Sequence, residues 1–448
     1  MKKLTWLSNA KLRLGWGLVG NQNASNFAYG SAMKAVPTAW GTGYFPENYA
    51  NDKLTWERTK AWNVGLDLSF LDNRIEFIVD AYFKKTDDLL MVASLPAYLI
   101  PTESYYGIRA PWVNAGSIQN KGIEFTLNTV NVATADWQWR TNATISFNRN
   151  KLTGLNNGES AMFGQIGTNN YTCSVVGEPV GQFWGWKVKG MYTEEADFYV
   201  KNKYGETLIN RDGSPLETPR PATAAGEMYP IGPNSIWVGD YIFEDVNGDG
   251  KIDSEDCTFI GNPNPGFTFG INNTITWKNF ELSFFINGSV GNDVYNYVRQ
   301  HHLDPTAWGN KMKDAASYAR VELINPDGSS LDLSNVHMTN VGSARVARIT
   351  GNGQSNNDNY RVSSLFVEDG SYIRMKSLSL AWNLPKKWLI PLKLDWVQIY
   401  GNIQNVFTIT GYDGYDPELG SSNVMLQGID NYRYPSSRIY NFGVKVNF

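Results

Sequence analysis

Strict alternation of side-chain character, recurring along almost the whole chain, most constrains its fold. In "FELSFFING", Phe280, Leu282, Phe284 and Ile286 fall on one face, and Glu281, Ser283 and Asn287 on the other. In "RIEFIVDAYFK", Ile75, Phe77, Val79, Ala81 and Phe83 oppose Arg74, Glu76, Asp80 and Lys84. "KGIEFTLN" sets Ile123, Phe125 and Leu127 against Glu124, Thr126 and Asn128, and "RIYNFGVKVNF" sets Tyr440, Phe442, Val444, Val446 and Phe448 against Asn441, Gly443, Lys445 and Asn447. A period of two is that of a β-strand with one apolar and one polar face. A soluble sandwich and a membrane barrel both produce it.

The connections separate the two. Ten long strands are expected, at roughly 10–18, 59–70, 74–86, 121–132, 137–149, 266–277, 280–291, 371–383, 393–406 and 438–448. Short links at 71–73, 133–136, 278–279 and 384–392 alternate with long ones at 19–58, 87–120, 150–265, 292–370 and 407–437. An antiparallel meander with every long link at one end is the pattern of outer-membrane barrels, with short periplasmic turns and long extracellular loops. A sandwich has no reason to sort its loops by length.

Composition agrees. Aromatics make up 14% of the chain and charged residues 18%, with 42 Gly. No window is apolar enough for a membrane helix, which does not argue against strands of about ten alternating residues. A net charge of −4 gives no sign of a nucleic-acid partner, and Cys173 and Cys257 offer neither a disulfide framework nor a zinc set. The opening "MKKLTWLSNAKLRLGWGLVG" does not read as a signal peptide, because Asn9, Lys11 and Arg13 interrupt any apolar core. Ten strands with loops of this bulk make a poor closed barrel, and an open edge in lipid is costly. The expectation is therefore a processed or incomplete chain that forms part of a larger barrel.

One stretch is of another kind. "DVNGDGKIDSED" places Asp245, Asn247, Asp249, Lys251, Asp253 and Asp256 at positions 1, 3, 5, 7, 9 and 12 of a calcium loop, with Gly250 at position 6. Lys251 would contribute its backbone carbonyl, and Asp256 stands where Glu is usual. Ile252, at position 8, suits a short β-contact anchoring the loop. The expected role is a structural calcium clip within 150–265; the bland alternative is a polar turn.

No catalytic constellation is visible. The neighbouring carboxylates Glu244/Asp245, Glu255/Asp256, Asp87/Asp88 and Glu194/Glu195 lack the facing geometry that glycoside hydrolysis needs. His301 and His302 have only His337 as a further histidine. Trp137, Trp139, Trp277 and Trp382, beside the short turns, suit an interfacial girdle. Phe183, Trp184, Trp186, Tyr192, Trp237, Tyr241, Trp308, Tyr412 and Tyr415 lie in the long links, where they could pack the loops or stack on sugars. No substrate-binding residue is singled out. The terminal Phe448 resembles an assembly signal of outer-membrane barrels.

The motifs carry a resemblance. "KLRLGWGLVGNQN" (11–23), "LTWERTKAWNVGLDLSFLDNRIEF" (54–77), "YFKKTDDLL" (82–90), "NAGSIQNKGIEF" (114–125), "VGEPVGQFWGWKVKGMY" (176–192), "GDYIFEDVNGDGKIDSEDCTFIGNPNPGFTFG" (239–270), "VEDGSYIRMKSLSLAWNLPKK" (367–387) and "YGNIQNVFTITGYDGYDPE" (400–418) occur in that order. With the final "YPSSRIYNFGVKVNF" they resemble, across residues 1–448, the C-terminal barrel of SusC/RagA-type TonB-dependent outer-membrane transporters of the Bacteroidetes. The resemblance implies an all-β fold supplying the last ten strands of a barrel of about 22 that encloses a plug. It also implies a multi-pass protein of the Gram-negative outer membrane, energised by a TonB complex. A SusD-like surface lipoprotein as lid, and an oligosaccharide or oligopeptide substrate, follow from it too. The alternative from another class is a calcium-stabilised secreted or surface adhesion protein, in which a second sheet would bury the apolar face.

Overall fold

A computed structural model describes residues 6–93, 108–155, 159–304, 309–350 and 356–448. Ten strands form one antiparallel meander. They are β1 (Leu7–Asn21), β2 (Glu57–Phe70), β3 (Ile75–Asp87), β4 (Gly116–Ala133), β5 (Trp137–Leu155), β6 (Phe267–Trp277), β7 (Phe280–Val290), β8 (Tyr372–Asn383), β9 (Trp396–Thr410) and β10 (Ile439–Asn447). Each pairs with its neighbour in sequence. All ten expected strands are present. Several run further than the alternation indicates: β4 starts at Gly116, and β5 continues to Leu155. From the expected ends outward the hydrogen-bonded ladder outlasts the apolar pattern, because Lys121 and Arg149, and then Gln119 and Lys151, replace the hydrophobes of the outer face.

Register keeps like with like. Trp16, Trp62 and Phe83 stand side by side across three strands, as do Leu12, Leu66, Val79 and Phe125 across four. The resulting apolar face is continuous and uncovered: Leu12, Leu14 and Trp16 are 63%, 73% and 66% exposed, and Phe442 is 82% exposed. Among the described residues no second sheet packs on it. A soluble sandwich would bury this face, so the adhesion-protein architecture is not the one formed.

The short turns form one rim, marked by aromatics. Trp137 lies against Trp277 (centroids 5.7 Å apart), Trp277 against Phe280 (6.1 Å), Phe280 against Trp382 (5.9 Å) and Trp382 against Trp388 (5.8 Å). The other rim passes through Phe147 and Phe267, whose ring centroids are 5.7 Å apart. Ten residues separate Trp137 from Phe147 on β5. At about 3.3 Å per residue and a tilt of roughly 40°, the apolar band is about 25 Å tall, the height of a bilayer core for barrels.

A hydrogen-bonded polar cluster lies inside the band. Asn273 on β6 is buried, and its Oδ1 accepts hydrogen bonds from Trp139 Nε1 (2.9 Å) and Thr141 Oγ1 (2.7 Å). The three groups satisfy one another where lipid offers no partner.

The long connections leave the opposite rim. Within them a four-stranded sheet (Ala161–Ile166, Asn169–Val175, Gln182–Gly185, Thr258–Gly261) and short hairpins form. Three of these connections share one core: Tyr171 and Phe183 pack with Tyr295, Val346 and Phe366, and with Ile429. A second core joins Tyr192, Phe198 and Trp237 to Ala319, Val336 and Met338.

Candidate functional site

The candidate site is the polar face of the sheet together with the folded connections above it. The polar face is wired by ion pairs between strands. Arg13 on β1 donates Nη2 to Asp67 Oδ1 on β2 (2.7 Å) and to Asp80 Oδ2 on β3 (2.9 Å). Gly65 stands between Arg13 and Asp80 in register. A Cβ there would lie 2.5 Å from Asp80 Oδ1 and 2.6 Å from Arg13 Cζ, so only glycine leaves room for the pair. Further along, Asn128 donates to Glu76 Oε2 (2.8 Å) and accepts from Asn142 Nδ2 (2.6 Å). A wetted, hydrogen-bonded wall of this kind suits a barrel lumen.

The final connection folds over this wall. Arg374 stands on the polar face of β8, where its Nε donates to Thr408 Oγ1 on β9 (2.8 Å). Its Nη atoms pair with Asp416 and with Glu418 (2.6 Å), and Lys376 also reaches Glu418. Burial pushes the Asp416 carboxyl up, but Arg374 and the backbone N–H groups of Ser436 and Glu418 outweigh it and hold the group at about 2. Residues 411–438 are thereby drawn in toward the polar side of the sheet.

Beside this inward fold lies a cleft of about 440 Å³ between the helix Tyr297–Leu303 and the final connection. Asn296, His302 and Asp413 line it, with Tyr415, Asp430 and Tyr432. Tyr415 is 78% exposed and Tyr432 54%. His302 meets Tyr432 edge-on (5.6 Å), and Arg299 holds Asp413 at 3.0 Å. Exposed tyrosine faces beside carboxylate and amide groups can stack on and hydrogen-bond a polar, ring-bearing ligand.

The connections are held to one another by a buried clamp. Asp240, fully buried, takes Arg348 Nε (2.9 Å) and Nη2 (3.1 Å), Asn359 Nδ2 (2.9 Å) and the Trp237 N–H (2.9 Å). Arg348 also donates to the carbonyls of Pro233 (2.7 Å) and Ser235 (3.0 Å). Sequence reasoning misses this pair, since a lone Asp and a lone Arg more than a hundred residues apart form no motif.

The loop aromatics mostly pack. Phe183, Tyr192, Tyr241, Trp237 and Tyr412 are buried, while Trp184 lies against Phe163 and Phe259. Trp186 is covered by Arg361, 4.8 Å from its ring. Of the loop aromatics named from the sequence, Tyr415 is left open, and Trp308 lies outside the described residues. The histidines do not converge: His301 stacks on Tyr297, His302 faces Tyr432, and His337 sits in a separate hairpin opposite Glu322.

The Asp-rich loop adopts the expected turns. Asp245 accepts from Gly248 N (2.7 Å) and Gly250 N (2.9 Å), Asn247 from Asp249 N (2.9 Å), and Asp249 from Lys251 N (3.2 Å). Asp256 is buried and accepts from Val246 N and Asp253 N, both at 2.8 Å. Ile252 is anchored by bridging to Pro221, its N–H reaching Arg220 O (2.9 Å). The Lys251 ammonium lies 2.6 Å from Asp253 and 3.6 Å from Asp249, which raises the lysine's pKa and lowers that of Asp253. Among the described residues no three acidic, His or Cys side chains converge on one point. The donors suit a hard cation, but in this arrangement Lys251 supplies the positive charge.

Comparison with known proteins follows the same lines. Residues 4–223 match the family described as TonB dependent receptor-like, beta-barrel. TonB-dependent receptor P3 of Formosa agariphila is 30% identical over 100% of this chain and 40% of its own length. Residues 4–223 belong to the TonB-dependent receptor-like β-barrel family. TonB-dependent receptor SusC of Bacteroides thetaiotaomicron is 27% identical over 100% of the chain and 38% of its own length. In fold, the barrel aligns with the RagAB peptide transporter at a TM-score of 0.72, with 20% identity over 100% of this chain and 41% of that one. These relatives are receptors and transporters, not enzymes, and the family is one of the outer membrane. The chain spans about 40% of the length of the curated relatives it matches. No described helix is long and apolar enough to cross a membrane; the crossing elements are the strands.

Proposed function

We propose that this receptor barrel is part of an importer of oligomeric nutrients, oligosaccharides or oligopeptides, driven by TonB. Residues 1–448 would form its C-terminal wall, with the long connections, 150–265 included, on the cell exterior. The observation that carries the reading is the shared core of three connections, folded over the polar side of a lipid-facing sheet. Connections of this length that pack together make a binding platform rather than filler. The cleft beside Tyr415 and Tyr432 is the proposed contact for substrate. A SusD-like surface lipoprotein is the proposed lid over the platform. The plug and the TonB-contacting region belong, in this proposal, to the length that the relatives have beyond the matched part.

The test uses the full-length receptor. Expected are co-purification with a surface lipoprotein and uptake of a labelled oligosaccharide or oligopeptide that ceases without TonB. Substituting Tyr415 and Tyr432 together by Ala is expected to lower uptake, at about 0.5–1.5 kcal/mol per lost ring contact. TonB-independent behaviour, or a receptor that binds no oligomer and no lipoprotein, would overturn the proposal.

Calcium is proposed as a structural ligand of residues 245–256. Asp245, Asn247, Asp249, Asp253 and Asp256 would hold it with the Lys251 carbonyl, once the Lys251 ammonium swings away from Asp253. Calorimetry on the assembled receptor is expected to show binding that tightens in Lys251→Ala. No heat at millimolar calcium in either protein would leave Lys251 as the loop's own cation and refute the proposal.

A further inference from the structure

The lipid-facing side of the sheet is not uniformly apolar at its upper rim. Lys60 lies two residues beyond Trp62, Lys85 two beyond Phe83, and Arg149 two beyond Phe147. Lys121 precedes Ile123 by two. Spacing by two keeps each cation on the same face as its aromatic or aliphatic neighbour. On the next strand the apolar face ends before the cation level: Phe267, the first residue of β6, packs on Phe147, one step below Arg149, and pairs with Val290 on β7.

Part of the belt is neutralised within the chain. Asp87 lies 3.0 Å from Lys85 and 3.5 Å from Lys60, and Asp88 pairs with Arg58. The remainder is not. Lys121 stands directly opposite Arg149, and Lys151 is the next residue of β5 on that face, opposite Gln119. Among the described residues no carboxylate lies within ion-pair distance of any of the three. Arg149 Nη1 donates to the carbonyls of Asn148 (2.9 Å), Pro265 (3.3 Å) and Gly266 (3.0 Å), which fixes the guanidinium, while its Nε and Nη2 have no acceptor among the described residues.

Like charges directly opposite in a sheet destabilise it, by a few tenths to about 1 kcal/mol. Here the Cβ atoms of three cationic residues lie about 5–8 Å apart at the edge of an apolar band, where lysine stems lie on the hydrocarbon and their heads reach the headgroup layer. An anion with several oxygens at that depth relieves the repulsion and uses the open guanidinium edge. We propose that Lys121, Arg149 and Lys151 bind the phosphate of an anionic membrane lipid in the leaflet around the long connections. The proposal rests on the apolar face being lipid-facing, as the barrel reading has it.

The test is a titration of the full-length receptor, in neutral detergent, with diphosphorylated lipid A, its dephosphorylated counterpart, or inorganic phosphate, read by native mass spectrometry. Lipid A is expected to stay bound, with the dephosphorylated form at least about tenfold weaker, the loss of one charge-assisted contact. K121Q/R149Q/K151Q is expected to lose lipid A to a similar degree. K84Q, on the polar face of β3, is expected to keep it. If the triple variant does not assemble, K151Q alone carries the test, with a two- to three-fold loss expected at about 0.5 kcal/mol. Equal binding of the dephosphorylated lipid, unchanged binding by the triple variant or by K151Q, or saturation by inorganic phosphate alone would overturn the proposal. Failure of the barrel reading itself would show differently, as a protein that enters no micelle.

Discussion

Replacing Arg348 by Met tests whether the long connections form one cooperative body above the barrel. The side chain bridges two connections through two hydrogen bonds to Asp240 and two to backbone carbonyls. Methionine fills much of the same space and removes all four. Stripping one partner from a buried ion pair costs about 3–5 kcal/mol. Asp240 would keep the Asn359 amide and the Trp237 N–H, which places the cost near the lower bound, about 3 kcal/mol. That is about a hundredfold rise in the open fraction of the connections. Hydrogen exchange measures it directly. The backbone amides at positions 192, 239 and 348, bonded across this region, should exchange about a hundredfold faster, while β7 and β8 keep their protection. Asp240→Asn with Arg348→Met should recover part of the loss, because no uncompensated charge stays buried and the amide oxygen can still accept from the Trp237 N–H or Asn359. A single variant whose loop amides exchange within about threefold of the parent would refute the cooperative-body reasoning.

Other perturbations reach the wall and its inward fold. Asp416 has a depressed pKa of about 2, so the contribution of its pair with Arg374 is complete above the usual Asp value and is lost as pH falls toward 2. Protease access to residues 411–438 should therefore be flat from neutral pH to about 4 and rise below it; Asp416→Asn should open this connection already at neutral pH. Asn273→Leu leaves Trp139 Nε1 and Thr141 Oγ1 without their acceptor in the apolar band, a cost of about 1–3 kcal/mol that should appear as earlier unfolding on heat-modifiability gels. Gly65→Ala should separate Arg13 from Asp80 and destabilise the β1–β3 region by about 1–3 kcal/mol, measured as faster exchange confined to those strands.

How much of the molecule is legible in the sequence follows the reach of the forces involved. Strand faces, turns and the aromatic rim come from local periodicity, so the sequence alone places Trp137, Trp277 and Trp382 on that rim. The outward extensions of β4 and β5 escape such a reading because their ladder is backbone hydrogen bonding, which leaves no mark once Lys121, Arg149 and Lys151 break the apolar pattern. The turns of the Asp-rich loop and the anchoring of Ile252 are readable, the turns being set by neighbours within twelve positions. The turn of the Lys251 ammonium onto Asp253 is not, since position 7 of a calcium loop is assigned for its carbonyl alone. The clamp of Asp240 and Arg348, the inward fold of Asp416 onto Arg374 and the shared core of Phe183, Tyr295 and Ile429 join residues distant in the chain. Such contacts are set by topology, and single residues carry no sign of them.

The central claim is that one face of this sheet meets lipid and the other lines the lumen. A labelled-cysteine scan along β4 in the membrane-embedded receptor, with quenching by brominated lipid chains, tests it most directly. Positions 123, 125 and 127 should be quenched, and positions 122, 124, 126 and 128 should not. Quenching without that alternation, or none at any position, would contradict the barrel.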